Sequence, residues 1–75
     1  MRLTRREEQV LSLIASGMRN AEIARCMGVS VRTVHAHLAN IYLKFGVTNR
    51  SAALMEFLKN RVALELKFIK EDYGQ

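Results

Sequence analysis

The stretch NAEIARCMGVSVRTVHAHLANIYLK, residues 20–44, decides the fold. Ile23, Ala24 and Met27 stand at i, i+1 and i+4, the spacing of a short helix with one buried stripe. Asn20 is a good N-cap for it, and Gly28 ends it. Val29 is apolar inside a turn, which reads as a plug for the core. Ser30 then caps a further helix. Val34, Leu38, Ile41 and Phe45 follow at i, i+4, i+7 and i+11, one narrow line at about 100° per residue. A helix, a tight glycine turn and a second helix form the helix-turn-helix layout, here over residues 20–39.

The side opposite that apolar line carries the chemistry. Arg32, Ala36, Ala39 and Leu43 fall there, with His35 and Asn40 at its edges. In such motifs the second helix normally enters the DNA major groove with its N-terminal half. Arg32 suits the guanine edge and Asn40 the adenine edge, while small Ala36 and Ala39 allow close approach. Arg32, His35, Ala36, Ala39 and Asn40 are therefore the expected base-facing set. Thr33, His37 and Lys44 lie on one flank, where phosphate contacts fix register without reading sequence. Asn20, Ser30 and Arg50 complete the expected phosphate or positioning set, Asn20 because a helix start offers backbone N–H groups to an anion.

Upstream, Thr4-Arg5-Arg6-Glu7 reads as a capping box. Val10, Leu11, Leu13 and Ile14 give the next apolar face, so a first helix is expected from about Arg5 to Ser16, stopped by Gly17. Downstream, Gly46 ends the third helix. Asn49 or Ser51 starts a fourth, with Leu54, Phe57 and Leu58 inward. Residues 1–59 form one helix-turn-helix domain and 60–75 a C-terminal extension. In that extension Val62, Leu66, Ile69 and Tyr73 have helical spacing, whereas Val62, Leu64, Leu66 and Phe68 alternate like a strand. Helix is preferred, because a lone strand has no sheet to join. The expected class is all-α: four helices with a helical extension. Leu58, Val62, Leu66 and Ile69 form a stripe expected to pair with a second copy, against the alternative that the tail folds back on its own domain.

Composition narrows the class. Seventy-five residues make one small domain. A hydrophobic fraction of 49% excludes a disordered tail. The net charge of +5 is unevenly placed: residues 1–50 hold eight basic and three acidic side chains. Between Glu22 and Glu56 there is no acid, while Arg25, Arg32, Lys44 and Arg50 fall inside. Such a window is a footprint for a polyanion, with a plain solvated basic face as the competing account. The lone Cys26 excludes an internal disulfide or a cysteine-based zinc site, and no signal peptide or spanning run is visible, which fits a cytoplasmic protein. His35 and His37, two apart, point to different faces and are not a metal pair. No nucleophile, paired carboxylates or phosphate loop can be assembled, so neither enzyme activity nor a cofactor is expected.

These residues together resemble a known family. Leu3-Thr4, Arg6-Glu7, Val10-Leu11, Leu13, Ala15 and Gly17 look like the opening of the LuxR/GerE-type DNA-binding domain. Asn20, Glu22-Ile23-Ala24, Val29-Ser30, Thr33-Val34, His37, Ile41, Lys44, Val47, Asn49-Arg50 and Ala53 continue in register. The resemblance covers about residues 3–58. It implies a four-helix domain of bacterial transcription regulators whose third helix reads the major groove and whose fourth often mediates dimer contact. This sequence departs from the pattern at His35 and Ala39, where lysine is frequent, at Arg19 in place of a small hydroxyl residue, at Ala21 in place of a frequent lysine, and at Arg5 where proline is common.

The leading expectation is therefore sequence-specific binding of double-stranded DNA by a homodimeric bacterial regulator, with RNA polymerase as a further partner and no membrane. Two alternatives stay open. Glu22-Ile23-Ala24 and Ser30 with Thr33-Val34 also occur in modules like region 4 of a sigma factor. A truncated regulator acting by heterodimerisation through its last helix is the other.

Overall fold

The computed structural model describes the backbone of residues 2–73 and the side chains of residues 2–61. Four helices follow one another: α1 Arg5–Ala15, α2 Asn20–Met27, α3 Val31–Phe45 and α4 Arg50–Tyr73. No strand occurs among the described residues. The expected all-α class holds, and α4 runs on through Asn60 without a break. The side chains of Val62, Leu66 and Ile69 lie outside the described residues.

Local chemistry fixes the helix ends. The Thr4 hydroxyl accepts from the Glu7 backbone N–H at 3.1 Å, and the Glu7 carboxylate accepts from the Thr4 N–H at 2.9 Å. This is a complete capping box. Ser30 caps α3 by accepting from the Thr33 N–H at 3.1 Å, and Asn49 caps α4 by accepting from the Ala52 N–H at 2.8 Å. The turn between α2 and α3 depends on Gly28, whose φ of 69° lies in the left-handed region that L side chains resist. There Gly28 N–H donates to the Arg25 carbonyl and Val29 N–H to the Ala24 carbonyl. That pair of bonds satisfies carbonyls the helix leaves open. The same arrangement closes α1 at Gly17-Met18 and α3 at Gly46-Val47. Each time the residue after the glycine is apolar, and Met18, Val29 and Val47 all pack against the core.

The core collects one stripe from each helix: Val10, Leu11 and Ile14; Ile23, Ala24 and Met27; Val34, Leu38 and Ile41; Ala53 and Phe57. α3 packs against all three other helices. Val34 and Ile41 are wholly buried, and burying each contributes about 1.5–3 kcal/mol. α3 is thus clamped along one side, which leaves its other side rigidly presented.

One expectation on α4 needs correction. Leu58 is not inward: it is 40% exposed, because the line that meets the core runs through Ala53 and Phe57. One step beyond Phe57 rotates the chain about 100° outward. Met55, also on α4, is 69% exposed, while Met18 is half-buried against the core.

Candidate nucleic-acid interface

α3 sorts its side chains by angle. Val34, Leu38 and Ile41 are buried; Thr33, His37 and Lys44 are half-buried on the flank; Arg32, His35, Ala36, Ala39 and Asn40 are exposed together. The five residues of the base-facing expectation therefore share one open surface. No acidic residue stands anywhere between Glu22 and Glu56 in the sequence that builds it. At its N-terminal end, Ser30 and Thr33 hydroxyls lie 3.0 Å apart. Both are exposed or half-buried beside the first turn of α3.

The start of α2 differs from the sequence expectation. Arg19, not Asn20, is the N-cap, with extended backbone at φ −86° and ψ 164°, and Asn20 is the first helical residue. Arginine has no side-chain acceptor. The end is closed from the other side, by the Glu22 carboxylate accepting from the Arg19 N–H at 3.0 Å. Asn20 is not free to cap, because its Oδ1 accepts from the Arg50 guanidinium at 2.7 Å. A second guanidinium nitrogen of Arg50 donates to the Met18 carbonyl at 2.9 Å. One arginine from the first turn of α4 thus holds both the α1–α2 turn and the first residue of α2.

That clasp also sets the Asn20 side chain. With Oδ1 turned to Arg50, Nδ2 and its two N–H donors face the other way. Beside it lies an open depression of about 360 Å³, lined by Asn20, His35, Leu38, Ala39, Tyr42 and Arg50. It joins the start of α2 to the exposed face of α3. Tyr42 was not in the sequence-based set; its place at i+7 from His35 is the signal that puts it on this side.

Lys44 sits on the flank as expected but has a partner inside the molecule. Its Nζ lies 2.6 Å from the Glu7 carboxylate, and the two side chains are 19% and 4% exposed. The ammonium is directed at α1. Cys26 is exposed on α2. Sequence reading placed Leu43 opposite the buried line but left it out of the base-facing set; it is 77% exposed.

A helix buried along one side, capped at its start and open on the other side, set behind a glycine turn, has the layout of the second helix of a helix-turn-helix. The family model for bacterial regulatory proteins of the luxR family, GerE, matches residues 1–57. The chain belongs to the LuxR family. Its helix-turn-helix is a DNA-binding transcription-regulator domain. The crystal structure of response regulator ChrA, from a heme-sensing two-component system, is similar to this LuxR-family domain, with a TM-score of 0.77 and 36% sequence identity. That match covers 81% of this chain and 30% of the ChrA chain. Among the described residues, no helix of the LuxR-family domain is long and apolar enough to cross a membrane.

Proposed function

We propose that this LuxR-family domain binds a specific double-stranded DNA site with α3 in the major groove. Arg32, His35, Ala36, Ala39 and Asn40 face base edges, Arg32 donating to guanine and Asn40 pairing with adenine. Ser30, Thr33, His37 and the Nδ2 of Asn20 donate to phosphates on either side. Arg50 and Lys44 act mainly within the protein, Arg50 by orienting Asn20 and Lys44 by tying α3 to α1; Arg50 retains N–H donors for a phosphate at the same edge. The observation that carries this reading is the joint exposure of the five base-facing residues on a helix buried along its opposite side.

The domain works as a homodimer through α4, with Leu58 on the contact and Val62, Leu66 and Ile69 continuing its stripe at helical spacing. Support comes from the 40% exposure of Leu58 and the unbroken course of α4 to Tyr73. Two half-sites about one helical turn apart match such a pair of recognition helices.

Selection from a randomised duplex pool tests both parts. A two-fold symmetric winner, with affinity falling steeply as salt rises, is expected. An asymmetric single half-site would remove the dimer. No enrichment at all would remove sequence-specific binding.

A further inference from the structure

Leu43 is the most exposed large apolar side chain among the described residues, at 77%. It stands seven residues from Ala36 and eleven from Arg32, so it lies within about 20° of both around the helix axis. Arg32, Ala36, Ala39 and Leu43 therefore form one row along the middle of the open face. Three of these four side chains are apolar. The row lies in the acid-free window that also carries Arg25 and Arg50, while the charge of Lys44 is paired with Glu7. A polyanion is the occupant such charge favours. Within the major groove of a duplex, the apolar group offered at base edges is the C5-methyl of thymine.

We propose, resting on the groove-binding reading above, that Leu43 is a specificity residue that packs on a thymine C5-methyl in each half-site. Arg32 and Leu43 are separated by about 16 Å along α3, at 1.5 Å per residue. The thymine thus lies at the opposite end of the half-site from the base that Arg32 reads. Ala36 and Ala39 between them are short enough to let the helix approach until Leu43 touches the groove floor.

The test removes the methyl and nothing else. The duplex selected from a random pool is remade with uracil for thymine, one symmetric pair of positions at a time. Binding is measured for the wild-type chain and for Leu43→Ser, an exposed change that leaves the core intact; circular dichroism and thermal melting confirm its fold. At one position pair, uracil weakens wild-type binding by about three- to fivefold per half-site, the worth of one buried methyl-sized group. Leu43→Ser binds the thymine duplex more weakly and does not distinguish thymine from uracil at that pair. A flat uracil series, a consensus without thymine at that end, or equal uracil sensitivity in Leu43→Ser overturns the assignment while leaving the groove-binding reading in place. A pool with no enriched duplex defeats that reading, and the Leu43 contact falls with it.

Discussion

Lys44 and Glu7, 37 residues apart, meet in an ion pair of 2.6 Å between the last turn of α3 and the first turn of α1. Burial alone raises the Glu7 pKa, but the Lys44 hydrogen bond and charge and the two Thr4 hydrogen bonds outweigh it. The carboxyl ends below its ordinary value of 4.5. The same carboxylate therefore caps one helix and anchors another, so a change at either residue is felt in the placement of α3.

A lowered carboxyl pKa makes stability depend on acid in one direction. The unfolded chain takes up the proton first as pH falls, so the pair's contribution is complete above about pH 4.5 and is lost as pH falls through the lower folded value. Urea unfolding at a series of pH values should show this loss on the acid side. Lys44→Met strands the nearly buried carboxylate and is expected to cost about 3 kcal/mol at pH 7. It should also shrink the acid-side loss, since Glu7 then no longer has its main stabilising charge. Glu7→Gln leaves an ammonium that water can reach, and is expected to cost less, about 1–2 kcal/mol. Equal costs for the two variants would contradict the burial asymmetry of the pair.

Much of the fold was legible because its determinants are local. The capping box at Thr4 and Glu7, the cap at Ser30, the stop at Gly28 and the buried line Val34-Leu38-Ile41 each need only a few consecutive residues. The clasp of Arg50 on Asn20 and Met18 joins residues about thirty apart, and periodicity cannot foresee it. For that reason Asn20 read as a cap when the fold uses it as an acceptor for Arg50. Lys44 likewise read as a free flank cation, since helical spacing gives the face of a residue and not its partner. The alternation of Val62 to Phe68 fits a strand as well as a helix; helix is preferred from the sequence because a lone strand has no sheet to join, and the backbone of α4 is helical to Tyr73. The base-facing set was legible as a surface because exposure follows from angle alone.

The turn at Gly28 should tolerate a side chain in space but not in backbone. A Cβ built there meets nothing within 4 Å, yet φ is +69°. Gly28→Ala is therefore expected to lose about 1–2 kcal/mol of stability, the cost of the left-handed conformation for an L-residue. Gly28→Asn should lose less, because asparagine visits that region more readily. Thermal melts of the two variants check the order, and an unchanged Tm for Gly28→Ala would show that the turn relaxes to another conformation.

Arg50 should behave as a positioning residue. Arg50→Ala leaves the Met18 carbonyl and the Asn20 carboxamide without their shared donor, and is expected to cost about 1–3 kcal/mol of stability. Its effect on DNA should be uniform across duplex sequences, because it loosens the start of α2 without touching a base-reading side chain. Arg50→Lys should restore only part, since a single ammonium cannot reproduce the two-pronged grip on Asn20 and Met18. Unequal loss across different half-site sequences would place Arg50 among the base readers instead.

Arg32 and Thr33 are neighbours on α3 with opposite expected roles, and their variants separate reading from anchoring. Arg32 is exposed on the open face, while Thr33 is half-buried on the flank with its hydroxyl 3.0 Å from that of Ser30. Arg32→Ala should cost about 1–3 kcal/mol of binding to the selected duplex and relax the preference at one base pair per half-site. Thr33→Val keeps the shape and removes the hydroxyl, so it should weaken all duplexes alike and by less. Selection repeated with each variant reads the difference directly: the Arg32→Ala consensus should lose one position, and the Thr33→Val consensus should keep every position. A Thr33→Val consensus with a lost position, beside an unchanged one for Arg32→Ala, would mean that α3 lies in the groove rotated toward its flank, with Thr33, His37 and Lys44 facing the bases.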